Sequence, residues 1–171
     1  MNEASGVKYD PGMTLDLDRQ PDGRTELEIA GELALGLTDG RSDGARLSGG
    51  LTVDNVSSRF VVGGSLTASG TAECSRCLKE FTLEWEVPVE LQVLRDVETD
   101  EGDGDSLVIR QRKGEVDLRE SLRESTVLAF PQAPLCNEDC RGLCPDCGVD
   151  RNEIPCECAD QNHDPRWDGL P

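Results

Sequence analysis

Eight cysteines are the residues of this chain best suited to chemistry: Cys74, Cys77, Cys136, Cys140, Cys144, Cys147, Cys156 and Cys158. They fall as Cys74-x2-Cys77, then Cys136-x3-Cys140-x3-Cys144-x2-Cys147-x8-Cys156-x-Cys158. Two of these are Cys-x-x-Cys pairs, with basic, glycine or small turn residues following. That is the shape of a zinc knuckle, in which a tight turn brings two thiolates to one ion and backbone N–H groups offset their charge. A structural zinc ion takes four such ligands in a tetrahedron. The eight cysteines divide into two such sites with none left over.

Spacing leaves two partitions open. One joins Cys74, Cys77, Cys136 and Cys140 at a long-range site and leaves Cys144, Cys147, Cys156 and Cys158 as a wholly local one. The other gathers the two Cys-x-x-Cys pairs, 74/77 with 144/147, around one ion and leaves 136, 140, 156 and 158 for the second. Loop-closure entropy favours the first, because one of its sites closes only a short loop.

Two other chemistries compete. A Cys-x-x-Cys dithiol catalyst needs an exposed cysteine of low pKa, usually at a helix N-terminus, and neither pair opens an expected helix. A redox switch released by loss of zinc fits better, since Cys156-x-Cys158 beside a Cys-x-x-Cys pair can oxidise once the metal leaves. Catalytic zinc wants an open coordination position and, commonly, histidine. The single histidine, His163, reads as a surface residue of the tail. No phosphate-binding loop, nucleophile elbow or HExxH motif occurs. The chain is expected to be no enzyme and to take no small-molecule substrate.

The elements that must position these thiols are mainly strands. Phe81, Leu83, Trp85, Val87, Val89, Leu91 and Val93 alternate with polar residues or proline over 81–93, the period-2 pattern of a long half-buried strand. Pro88 marks a bulge or an edge there. Residues 60–72 are also extended, with Gly63-Gly64 expected as a bend or bulge. The first cysteine pair therefore lies in a hairpin turn. Shorter runs precede it: Leu15 and Leu17; Leu27 and Ile29; Leu33, Leu35 and Leu37; then Ala45, Leu47, Leu51 and Val53. Pro21-Asp22-Gly23, Asp39-Gly40 and Asp43-Gly44 supply turns between them. One helix is expected over 117–130, with Asp117 as N-cap, Glu120 completing a capping box, and Pro131 as the stop. Its stripe of Leu118, Leu122, Thr126 (or Val127) and Phe130 should pack on the sheet. The acidic run 96–105 reads as a solvated loop. It is no calcium loop, because Glu101 and Leu107 stand where glycine and glutamate are required.

The expected fold is α+β and predominantly β: an antiparallel sheet or partly closed barrel with one main helix and a zinc-ordered C-terminal tail. The divisions are a flexible N-terminus over 1–13, a β-rich body over 14–135, and a cysteine-rich tail over 136–171 packed on the body. That tail has too few apolar residues to fold by burial alone.

Composition bounds the partners. Among 171 residues, 35 Asp and Glu face 17 Lys and Arg, a net charge of -18. Such a surface lacks the basic footprint of a nucleic-acid binder. The densest basic run is Arg110, Arg112, Lys113, Arg119 and Arg123, largely cancelled by Glu115, Asp117, Glu120 and Glu124, and it reads as an ion-paired face. The N-terminal residues hold no apolar signal core and no window approaches a membrane span, so a cytoplasmic protein with reduced thiols and no membrane partner is expected.

The run Leu135-Cys136-Asn137-Glu138-Asp139-Cys140-Arg141-Gly142-Leu143-Cys144-Pro145-Asp146-Cys147-Gly148 carries a family resemblance. Together with Cys74-Ser75-Arg76-Cys77-Leu78, Asp117-Leu118, Cys156-Glu157-Cys158 and Asp164-Pro165-Arg166-Trp167, it resembles the YceD family. The resemblance implies a ribosome-biogenesis factor that supports accumulation of large-subunit ribosomal RNA. The implied partner is a ribosomal or assembly protein of the large subunit, with the RNA itself a second candidate. Relatives often carry Asn-Leu-Asn after the second Cys-Gly, where this chain has Val149-Asp150-Arg151-Asn152, a change expected to leave metal binding alone. The alternative function, from the residues, is a zinc-linked redox or stress sensor.

Overall fold

A long antiparallel meander follows from the alternating runs. The computed structural model describes residues 13–37, 43–56, 59–95 and 107–158. Strand β1 spans Thr14–Asp16, β2 Gly23–Ala34, β3 Gly44–Val56, β4 Arg59–Glu73, β5 Glu80–Leu94, β6 Leu107–Arg110 and β7 Glu115–Asp117, and helix α1 spans Arg119–Ala129. The main sheet has the order β2-β3-β4-β5-β6, and β1 pairs with β7 in a separate two-stranded sheet. The first four strands of the main sheet run antiparallel, and β6 joins β5 in parallel. Its outer strands β2 and β6 do not pair with each other, so the sheet is open.

Alternation sets the faces. Ile29, Leu33, Ala45, Leu47, Leu51, Val53, Phe60, Val62, Leu66, Trp85, Val87, Val89, Leu91 and Val93 are buried, while their strand neighbours are mostly exposed. Helix α1 covers this inner face. Leu118, Leu122, Thr126 and Phe130 are buried, as the stripe predicted. Trp85 Nε1 donates to Thr126 O at 3.3 Å, and its ring meets Phe130 edge-on at 5.1 Å. One indole thus satisfies its polar atom and makes an edge-to-face ring contact at the same end of the helix.

Several expectations change in detail. The helix is shorter than 117–130. Leu118 is its N-cap without a side-chain cap bond, and Asp117 belongs to β7. Instead of capping through a box with Glu120, the Asp117 carboxylate accepts the Arg119 N–H at 3.0 Å and holds the Arg119 guanidinium. Phe130 ends the helix in an extended conformation, as a residue before proline must. The runs at Leu27 and Leu33 belong to one strand, β2. Gly63-Gly64, expected as a bend or bulge, lies inside the continuous strand β4, which keeps unbroken register with β5. At Gly64 φ is +149°, and an added Cβ would lie 3.1 Å from Leu51 Cδ2, so glycine there lets β3 and β4 approach. Pro88 sits where, among the described residues, β5 has no strand neighbour on one flank, because β6 covers only Leu91 to Leu94. The turn at 39–40, the acidic run and His163 lie outside the described residues, as do residues 1–12 of the N-terminal segment; Met13 is buried, and its carbonyl accepts the Leu118 N–H at 3.0 Å.

Leu122→Ala should cost about 2–5 kcal/mol in urea unfolding, since it removes a fully buried side chain between helix and sheet. On the same helix Leu128 is 83% exposed, and Leu128→Ala should change stability by less than about 0.5 kcal/mol. Equal effects would contradict the assignment of the buried face.

Candidate metal centre

The β4–β5 turn presents Cys74 and Cys77 at the tip of the longest hairpin. The chain leaving α1 returns to that tip, where Ser75 N donates to Pro134 O at 2.9 Å. This return brings Cys136 and Cys140 to the first pair. The four sulfurs lie within 4.8 Å of one another, with Cys74–Cys140 at 3.8 Å and Cys77–Cys136 at 3.7 Å. Cys144, Cys147, Cys156 and Cys158 form a second group, with Cys147–Cys156 at 3.5 Å and Cys144–Cys156 at 3.3 Å. The sulfurs therefore group as the first partition has them, and the rival grouping of the two Cys-x-x-Cys pairs does not occur. All eight cysteines are free of disulfides.

The two Cys-x-x-Cys turns have the same backbone. Cys74 N donates to Lys79 O and Leu78 N to Cys74 O, each at 2.9 Å. Cys144 N donates to Val149 O at 2.8 Å and Gly148 N to Cys144 O at 2.9 Å. Each turn closes with a residue in the left-handed region, Gly148 at φ +72° and Leu78 at φ +59°. Glycine adopts that conformation freely; leucine does so at a cost. The residue after the first pair is thus neither basic, glycine nor small.

The donor set suits a tetrahedral thiophilic ion. Sulfurs at about 2.3 Å from a tetrahedral centre stand about 3.8 Å apart, close to the separations at the first site and slightly above those at the second. Four thiolates repel one another unless a cation balances them, and a bound dication removes their protons outright. The protein alone already eases ionisation of one thiol in each group. Burial pushes the Cys74 thiol up, but backbone N–H donors of Cys136, Cys77 and Arg76 outweigh it and hold it at about 6. The Cys147 and Asp146 backbone amides bring Cys144 to about 7. Their neighbours go the other way: Cys136, an exposed residue whose sulfur is nonetheless desolvated among the adjoining thiols, is pushed up to about 12, and Cys158 to about 12 by the Cys156 and Cys147 thiols.

The two groups differ in access. Cys74, Cys77 and Cys140 are buried, and only Cys136 of that group is exposed. In the second group Cys144 is buried while Cys147 and Cys158 are exposed.

Sequence reading missed the residues that support the sulfurs. Arg76 donates from Nη1 to Cys140 O at 2.8 Å, and its own carbonyl accepts the Leu143 N–H at 3.0 Å. Gly142 passes so close that a Cβ would lie 2.8 Å from Arg76 O. Residues 149–152, expected to be neutral, also touch the first site: Asn152 Nδ2 donates to Cys140 Sγ at 3.4 Å. Lys79 pairs with Asp150 at 2.8 Å and with Glu153, and both partners hold its ammonium above its ordinary pKa. The legible signal was a Lys directly after the hairpin knuckle and acids after the second one. Their pairing required the fold.

Cys74→Ser should lower the thermal midpoint more than Cys156→Ser. The first opens a clamp between the hairpin tip and the tail, and the second opens a local loop; with an ion held at each group, either change would forfeit binding energy that is also folding energy. Equal losses would show that the long-range clamp carries no extra stability.

Comparison with known proteins follows the cysteines. The family model described as large ribosomal RNA subunit accumulation protein YceD matches residues 62–171, which include both thiol groups. An uncharacterized protein of Mycobacterium tuberculosis is 36% identical over 128 residues, covering 74% of this chain and 61% of its own length. One from Mycobacterium bovis matches to the same extent, and one from Mycobacterium leprae is 33% identical over 133 residues, covering 74% of this chain and 58% of the relative. The chain thus spans about three-fifths of the length of the curated relatives it matches. No solved structure matches it. On the family match and the matched cysteine segments, the chain belongs to the YceD family, described as large ribosomal RNA subunit accumulation proteins.

Proposed function

We propose that this protein is a cytoplasmic ribosome-biogenesis factor that supports accumulation of large-subunit ribosomal RNA, acting as a zinc-stabilised binding protein rather than as an enzyme. Family membership carries the reading. The thiol groups support the zinc: each offers four sulfurs at metal-site spacing. Among the described residues no helix is long and apolar enough to cross a membrane.

The direct partner is a basic ribosomal or assembly protein of the large subunit. The outer sheet face supports this choice, since it carries exposed Glu26 and Glu28 on β2 and exposed Glu84, Glu86 and Glu90 on β5. Its Arg24 and Arg46 are tied to Asp54 and Glu32. Of the basic run near the helix start, Arg119 pairs with Asp117, and Arg123 pairs with Glu120 while donating to Leu35 O. Those cations serve the fold, which weakens the case for a phosphate-binding stripe. Exposure of Cys147 and Cys158 favours a second reading, a zinc-linked redox sensor. A sensor would change partner binding at oxidant levels that release zinc without unfolding the body.

Depleting the protein in its own cell should lower large-subunit relative to small-subunit ribosomal RNA, and the intact chain should restore the ratio. An unchanged ratio would refute the proposal. Protein-free large-subunit RNA should bind weakly in gel shifts at physiological salt; tight binding there would replace the basic-protein partner with RNA.

A further inference from the structure

The segment between Cys147 and Cys156 belongs to both thiol groups at once. In sequence it is bracketed by ligands of the second site, whose sulfurs stand 3.5 Å apart. In space it lies against the first. Asp150 bridges to Leu143, and Arg151 N donates to Gly142 O at 2.9 Å. Asn152 accepts the Arg141 N–H on Oδ1 at 2.8 Å while its Nδ2 donates to Cys140 Sγ at 3.4 Å. The Asn152 amide is itself aimed by Asp150, whose Oδ1 accepts both the Asn152 backbone N–H at 2.8 Å and Nδ2 at 2.7 Å. Lys79, two residues past Cys77, fixes Asp150 from the hairpin side.

Closing the second site therefore orders the loop that presents a hydrogen-bond donor to a first-site sulfur. Such a donor spreads thiolate charge and fixes the ligand's orientation, and loss of an outer partner of this kind typically costs about 10–100-fold in metal affinity. With the second site open, the loop must be ordered at an entropic cost before Asn152 can reach Cys140. By linkage, whatever the second ion does for the first, the first does for the second.

We infer that the two thiol sites hold their ions cooperatively, with residues 148–155 as the coupling segment and Asn152 as the positioning residue. This rests on the reading of both groups as zinc sites. It makes the exposed second site the point of entry to the buried first one: an agent that strips the outer ion also loosens the clamp between tail and hairpin. The occupancy of the pair then behaves as a single switch rather than as two graded ones.

The test starts from the zinc-loaded, reduced full chain and removes metal with increasing chelator, counting ions per chain by native mass spectrometry. The wild type should pass mainly between two-zinc and zinc-free species, with the one-zinc species below the fraction expected for independent sites. Asn152→Ala should still load two ions but should accumulate the one-zinc species. Cys156→Ser should retain one ion, at Cys74, Cys77, Cys136 and Cys140 by alkylation mapping, and lose it at about 10-fold lower chelator than the last ion of the wild type. Ile154→Ala, in the same segment but 56% exposed, should release metal as the wild type does. A wild-type one-zinc fraction at or above independence, or first-site retention unchanged in Cys156→Ser, would overturn the coupling while leaving the zinc reading intact. A chain that holds no zinc before chelator is added would overturn both.

Discussion

The contact between the β4–β5 turn and the chain beyond α1 is the constraint on which the rest of this structure depends. It joins Cys74 and Cys77 to Cys136 and Cys140 across more than fifty residues of sequence. The hairpin tip projects beyond the hydrophobic core, and a small satellite of Cys74, Cys77, Cys140, Phe81 and Leu135 is what packs there. Apolar area of that size cannot order the tail. A four-thiolate ion site can, because in such sites binding energy is folding energy. The second thiol group, the Arg76 contacts and the Lys79 ion pairs are all built on this junction.

How much of this could be read beforehand depended on range. The long strands were legible because side chains alternate strictly over 81–93. The hairpin position of the first cysteine pair followed from the strands on either side of it. The grouping of the cysteines was legible only as a preference, through loop length. The supporting residues were not legible, since Lys79 meets Asp150, and Asn152 meets Cys140, only once the two knuckles lie side by side. Asp117 shows the limit of local motifs. Its sequence context fits a capping box, yet pairing of β7 with β1 keeps Asp117 extended, and tertiary structure overrides the cap. Leu78 shows the converse limit, for no propensity scale would place leucine in the left-handed region; the knuckle hydrogen bonds hold it there.

The acidic character has a structural place. Inner strand positions are apolar and covered by α1, which leaves the outer positions of β2 and β5 to carry glutamates. The small residues of β4 between them, Ser65, Thr67, Ser69 and Thr71, keep that face low. The thiol-bearing end and the acidic face are therefore distinct: one joins the tail to the hairpin tip, and the other presents a field that repels phosphate. The family role in large-subunit RNA accumulation is compatible with a factor that reaches ribosomal RNA through its proteins.

The most direct test of the central claim is X-ray absorption at the zinc edge on the full chain, purified under reducing conditions without added metal. The account predicts an all-sulfur first shell of four ligands at about 2.3 Å, with no nitrogen or oxygen contribution. A shell dominated by nitrogen or oxygen, or no zinc signal at all, would contradict it.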